Sequence, residues 1–283
     1  MSPRFLTALY TSLTMVAFAS NSLLNRLALG QESIDAVSYT TIRLMAGALT
    51  LWLISSLQKD STGPKVRGHW ISAVMLFIYA LAFSFAYLSL SAGTGALILF
   101  GSVQVTMILA ALRAGERPHM LEWLGVLLAL GGLVYLVSPG LEAPSLLGSG
   151  LMTMAGIAWG VYSLRGRGAS SPLADTTGNF LRAVPFIIAV RFFTLNEVHL
   201  SQPGVLLALL SGAVASGLGY VIWYAALAGL TATRAAIVQL SVPVIAAWGG
   251  VVFLAEDISL RLILAGALIL GGIALAIMGR RKA

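Results

Sequence analysis

The sequence predicts an all-α, polytopic membrane protein of ten transmembrane helices, built as two five-helix repeats inserted in opposite orientations. Three observations predict it. The 283 residues are 58% hydrophobic and only 10% charged, with a mean hydropathy of +0.92, too little charge to cover a water-soluble surface. Long apolar runs recur between short connections, and at about 20 residues per crossing a chain of this length has room for on the order of ten. The two halves also match one another in order along the chain.

The spans run in sequence. The first, 5–25, follows Arg4 and contains Ala17-Phe18-Ala19, so it imitates a secretory signal with a small-residue cleavage site. The apolar run continues through Leu23 and Leu24 and the repeat needs this helix, so it is read as an uncleaved crossing. The second span is 34–57, followed by Gly63-Pro64. The third and fourth are 70–90 and 93–112, and the fifth, 121–138, stops at Ser138-Pro139-Gly140. The second half repeats the series with 149–164, 173–194, 204–227, 231–254 and 260–279. Ser171-Pro172 supplies an N-cap and a proline at the first helical position of the seventh helix, and Gln202-Pro203 opens the eighth. The halves divide at 1–143 and 144–283.

Charge sets the expected orientation. One set of alternate loops holds Arg4, Lys59, Lys65, Arg67, Arg113, Arg117, Arg165, Arg167, Arg280, Arg281 and Lys282; the other holds little beyond Arg26, Arg191 and Arg261. The excess of Lys and Arg marks the first set as cytoplasmic, with both termini there. The net charge of +7 is scattered singly or in pairs between apolar segments rather than gathered on one face, which speaks against a nucleic-acid partner. The absence of cysteine excludes disulfides, thiolate nucleophiles and cysteine-ligated metal.

A constant offset aligns Thr14-Met15 with Thr153-Met154, Ala19 with Ala158, Arg26 with Arg165 and Arg43 with Arg182. An offset one residue longer aligns Glu116 with Glu256 and Gly131-Gly132 with Gly271-Gly272, and one two residues shorter aligns Tyr87 with Tyr224. Each half has an odd number of crossings, so the second enters the bilayer from the opposite side. Inverted repeats let one module take two packings whose exchange opens a central site to either side, as an alternating-access carrier requires.

Ten helices in two inverted units, with arginine in the second helix of each and Glu before a Gly-Gly helix closing each, resemble the drug/metabolite transporter superfamily. Within it the EamA-type exporters, and the YddG-like amino-acid exporters in particular, are similar over essentially the whole chain. The resemblance implies a secondary transporter of the bacterial inner membrane, monomer-sized and without cofactor or metal. It would export hydrophobic neutral and aromatic amino acids and related metabolites.

Polar atoms at mid-depth should face a cavity or another helix. In the first helix Ser20, Asn21 and Asn25 qualify; Asn21 leads as a ligand for an amino-acid headgroup, with an interhelical hydrogen bond as the alternative. Tyr79, Phe83 and Tyr87 recur at helical spacing on the third helix, and the repeat sets Tyr220 opposite Phe83. Such rings suit an apolar or aromatic side chain, or they pack helices and, for Tyr87 and Tyr224, sit in the interfacial belt. Phe100, Ser102 and Gln104 on the fourth helix and Gln239 on the ninth lie near mid-span, and Trp159 and Tyr162 complete a rim on the sixth. Gly156 and Gly160 read as a packing seam. Pro243 and Pro185 each remove a backbone donor and mark candidate hinges. Arg43 and Arg182 are either carboxylate ligands or matched structural struts; their duplication favours struts. Glu116 and Glu256 read as structural charge at helix ends, with gate contacts as the alternative.

The ten acidic residues and His69, His119 and His199 all fall in loops or near helix ends, so no buried proton relay is evident and downhill transport is the simpler expectation. No nucleophile–base pair, H-E-x-x-H cluster or Walker lysine motif appears, so an enzyme is not expected. The rival readings are a carrier of another metabolite or drug on the same skeleton, and a membrane structural or sensory subunit that moves nothing.

Overall fold

The structure is a computed structural model that describes residues 3–57, 66–113, 120–138, 140, 143–166, 171–195, 198–227, 229–230, 238–239 and 241–279. Among these residues the chain is all-α, with one isolated antiparallel bridge between Ile34 and Leu200. The first repeat contains α1 (Pro3–Gly30), α2 (Ala36–Leu57), α3 (Trp70–Ala86), α4 (Ala92–Arg113) and α5 (Met120–Val137). The second contains α6 (Leu146–Gly166), α7 (Pro172–Phe193), α8, α9 (Ser241–Leu254) and α10 (Leu260–Gly279). α8 is assembled from Gln202–Leu210, a π-helical stretch Ser211–Leu218, and Gly219–Leu227.

Two helix ends differ from the spans the sequence predicts, and the start of a third lies outside the described residues. α1 continues past 25 to Gly30, because Arg26 is neutralised by Glu256 at 2.9 Å and the apolar Leu27, Ala28 and Leu29 carry the helix on. α3 stops at Ala86 rather than 90, where the amides of Tyr87 and Leu90 turn back onto the carbonyls of Phe83 and Ala86. The ninth span was expected from 231; residues 231–237 and 240 lie outside the described residues, and Val238 and Gln239 are helical just before Ser241. Ser171 precedes Pro172 as expected but its side chain makes no capping bond, whereas Ser201 caps α8 by accepting from the Gly204 amide at 3.1 Å.

The helix pairings reveal the symmetry. α1 packs on α8 and α9, and α6 packs on α3 and α4; α2 meets α8, and α7 meets α3. Exchanging the first five helices for the last five maps each of these pairs onto another, while α2–α7, α4–α9 and α5–α10 map onto themselves. A two-fold relation between halves that each have five helices inverts one half relative to the other.

Close approach depends on small residues, since lipid supplies no hydrophobic drive between helices. A Cβ on Gly156 would stand 2.6 Å from the Leu99 carbonyl oxygen, so the Gly156/Gly160 seam holds α6 on α4. Gly212 in the π stretch lies directly against the Arg43 backbone and lets α8 reach α2. Large apolar side chains such as Leu49, Trp52, Leu127, Val134 and Phe253 point outward. Three helical segments, Ala36–Leu57, Ala92–Ala110 and Gln202–Trp223, are each long and apolar enough to cross a bilayer by themselves.

Candidate functional site

Where the halves meet, aromatic rings from four helices form one cluster. Phe18 comes from α1, Tyr79 and Phe83 from α3, Trp159 and Tyr162 from α6, and Tyr220 from α8. The Trp159 ring lies 4.8 Å from that of Tyr79, 5.0 Å from Tyr220 and 5.5 Å from Tyr162, and Phe18 meets Trp159 and Tyr220 edge-on at 6.1 and 6.0 Å. Helical spacing explains the α3 wall: Tyr79 and Phe83 are one turn apart and their rings lie 5.3 Å from each other. All of these rings are buried.

They enclose a small cavity lined by Phe18, Asn21, Ser22, Tyr79, Phe83, Leu99, Phe100, Trp159 and Tyr220. Its free volume is about 10 Å³, the space of a single water at most. This is a closed arrangement with no room for anything larger than a water. Phe18, Asn21, Tyr79, Phe83 and Phe100 belong to one half and Trp159 and Tyr220 to the other, so the cavity lies between the halves.

Polar groups at the cavity are engaged between helices. Asn21 Oδ1 accepts from the Ser211 hydroxyl of the π stretch at 2.5 Å, and the Asn21 carbonyl accepts from Asn25 Nδ2 at 2.8 Å. Asn25 in turn accepts from the Ser84 hydroxyl at 3.3 Å, tying α1 to α3. Asn21 therefore lines the cavity and also bonds across helices to Ser211.

The two arginines matched by the repeat occupy different environments. Arg43 is 2% exposed; its Nη2 donates to the Tyr79 hydroxyl at 3.1 Å and its Nε to the Ser216 hydroxyl at 3.3 Å. Its guanidinium carbon sits 5.2 Å from the ring centres of both Tyr79 and Phe83. Arg182 is only half-buried. It donates to the carbonyls of Arg67 and Gly178 and lies over the Trp70 ring, bracing the segment that enters α3.

At one end of the cavity, a helical turn beyond Ser22, Arg26 donates to Glu256 and to the Tyr87 carbonyl at 3.2 Å. The second oxygen of Glu256 accepts from the Ala92 amide at 2.8 Å, capping the start of α4. This clasp joins α1, the α3–α4 turn and the α9–α10 connection. Nearby in sequence, Asp35 accepts from the Ser38 hydroxyl and amide and from the His199 amide, and pairs with Arg191 at 3.5 Å. Burial pushes its carboxyl pKa up, but the Ser38 and His199 hydrogen bonds and the Arg191 charge together hold it below its ordinary value.

The remaining sequence candidates divide. Tyr162 backs Trp159 and Gln239 is buried, but neither lines the cavity. Ser20 faces away, into an apolar groove between α1, α8 and α9 of about 570 Å³ that opens toward lipid. Tyr87 is fully buried beneath Phe83 rather than in an interfacial belt. Pro185 lies inside α7 and Pro243 in the first turn of α9. Glu116 and the Tyr224 side chain lie outside the described residues. Sequence reasoning missed Phe18, Ser22, Ser211 and Ser216. Phe18 was legible, since it precedes Asn21 by three residues on the same helical face; it was read only as part of a cleavage-site mimic.

Two inverted five-helix units closing around a buried aromatic centre have the architecture of a multi-pass membrane transporter. The chain belongs to the EamA-like transporter family of the drug/metabolite transporter superfamily, whose family model matches residues 5–138 and again 146–278. It is 53% identical to an uncharacterized Pseudomonas aeruginosa protein, over 97% of this chain and 95% of that one. It is also 26% identical to an uncharacterized transporter of Archaeoglobus fulgidus over 85% of this chain and 86% of the relative, and 21% identical to the uncharacterized Bacillus subtilis transporter YoaV over 86% and 88%. A solved crystal structure shares the fold, with a TM-score of 0.68 at 20% identity, covering 95% of this chain and 97% of that one.

Proposed function

We propose that this transporter exports hydrophobic neutral and aromatic amino acids from the bacterial cytoplasm, as YddG-like exporters do, by alternating access around the cavity between its halves. The observation that carries the reading is the aromatic box itself. Phe18, Tyr79, Phe83, Trp159 and Tyr220 supply ring faces and edges for an apolar or aromatic side chain, and Asn21 supplies an amide for its headgroup. Transport is downhill: among the described residues Arg43 is the single fully buried charged side chain, and it does not release protons in the physiological range. Both termini lie in the cytoplasm, the arrangement that the excess of Lys and Arg in alternate loops favours. In the working cycle the Arg26–Glu256 clasp holds one end shut while the other opens, and Pro185 and Pro243 are the hinge positions.

Counterflow in liposomes reconstituted with the purified chain tests this. Internal L-phenylalanine or L-leucine should accelerate uptake of the same radiolabelled amino acid, equally with and without a pH gradient. Acceleration by some other solute and by no amino acid would replace the reading with a different cargo. A stable protein partner with no flux of any solute would replace it with a non-transporting subunit.

A further inference from the structure

We propose that Arg43 is the ligand for a carboxylate on the transported solute, so that the cargo class is an apolar or aromatic body bearing that anion. The inference rests on the carrier reading above and specifies which end of the solute the site grips. Its starting point is electrostatic. A guanidinium taken out of water is costly unless it is paired and fully hydrogen-bonded. Arg43 is 2% exposed, and among the described residues the ion pairs involve Arg26, Arg67 and Arg191, not Arg43. Two of its donor nitrogens reach the hydroxyls of Tyr79 and Ser216, while Nη1 has no hydrogen-bond partner among the described residues. Ring faces compensate the charge in part: the guanidinium lies over both Tyr79 and Phe83. Those two rings are also walls of the cavity; Arg43 lies behind them and does not itself line the closed space, so a carboxylate reaches Nη1 when the Tyr79 and Phe83 wall parts.

Asymmetry separates a ligand from a strut. The repeat supplies an arginine at this position in both halves, yet only Arg43 turns inward, while Arg182 is spent on the Arg67 and Gly178 carbonyls at the periphery. A strut demanded by the fold would be used alike in both halves. A carboxylate completes what Arg43 lacks, because the planar guanidinium presents parallel N–H donors that match two carboxylate oxygens. Ser216 and Ser211 lie on the same π-helical stretch, holding Arg43 and Asn21 respectively, so one element sets both polar contacts. With the carboxylate on Arg43, the apolar body lies among Phe18, Trp159 and Tyr220.

The test is a ligand series on the purified full-length chain: L-phenylalanine, 3-phenylpropanoate, L-phenylalaninamide and phenethylamine, read by thermal stabilisation and by counterflow. The wild type should bind both carboxylates at least about tenfold more tightly than the amide and the amine. Arg43→Gln should abolish that preference. Arg43→Lys keeps the charge but loses the fork, and should weaken the carboxylates selectively. Preference for 3-phenylpropanoate but no response to phenylalanine would uphold Arg43 and overturn the amino-acid reading. Equal binding of phenylalanine and its amide, a carboxylate preference that survives in a folded Arg43→Gln protein, or one that is undiminished in Arg43→Lys, would overturn the Arg43 inference and leave the amino-acid reading standing. If Arg43→Gln fails to fold, the wild-type series and Arg43→Lys decide. Binding of no carboxylate at all overturns both.

Discussion

Glu256→Gln is the most informative perturbation of the closed state. Glu256 accepts a charge-assisted hydrogen bond from Arg26 at 2.9 Å and one from the Ala92 amide at 2.8 Å, with side chains only 26% and 14% exposed for Arg26 and Glu256. Glutamine keeps an oxygen for the amide but removes the charge that holds the guanidinium. Hydrogen bonds to charged groups contribute about 1.5–3 kcal/mol, and the pair is partly hydrated, so the loss is about 1–2 kcal/mol. At about 1.4 kcal/mol per factor of ten, the population open at this end rises roughly 5- to 30-fold. Ser22 is the reporter: it is 1% exposed, lies one turn inside the clasp and lines the cavity. The chain has no cysteine, so Ser22→Cys reacts with a water-soluble maleimide without background, and only when that end opens. The labelling rate should rise by that factor when Glu256→Gln is added. If both proteins melt at similar temperatures and label at the same rate, the clasp does not gate this end.

Three further outcomes are expected. Asn21→Ala removes the bond to Ser211, at a cost of about 1–3 kcal/mol; counterflow should fall at least about fivefold with membrane insertion unchanged, and unaltered flux removes Asn21 from the site. Gly212→Ala drives a methyl into the Arg43 backbone; overpacking of this kind costs about 1–3 kcal/mol, so melting should drop by several degrees, and a wild-type melting curve would contradict the close α2–α8 approach. Asp35 has a folded-state pKa below its ordinary 3.8, so its contribution to stability is present above that value and is lost as pH falls through the folded pKa. Melting temperature should therefore decline below about pH 4 more steeply in the wild type than in Asp35→Asn. Parallel curves would mean that the Ser38, His199 and Arg191 contacts add nothing.

Much of the scaffold was legible without coordinates. Crossing a bilayer forces long apolar helices, because every backbone polar group must be satisfied inside the segment, and that demand is written locally, residue by residue. Segment ends followed in large part from charge, Gly and Pro; α3 stops short of 90 through its own local turn, and α1 runs past 25 where Arg26 meets Glu256 and the Tyr87 carbonyl. The repeat was legible from Arg26, Arg43 and Glu116 recurring as Arg165, Arg182 and Glu256, and its inversion followed from counting five helices per half. The ring ladder of Tyr79 and Phe83 was legible for the same reason, since i and i+4 share a helical face.

What each face meets was decided by tertiary structure alone. In a bilayer the outer face of a helix is as apolar as the inner one, so no amphipathic signal separates rings that wall a cavity from rings that face lipid. Ser20 and Asn21 are neighbours in sequence, yet one looks into a lipid-side groove and the other into the centre. The π-helical stretch at Ser211–Leu218, which turns Ser211 and Ser216 toward Asn21 and Arg43, has no signature in its small residues. The clearest case is the arginine pair. Sequence symmetry made Arg43 and Arg182 equivalent; packing placed one among buried rings and the other on peripheral carbonyls, because what a long charged side chain can reach depends on partners that only the assembled helices bring near it.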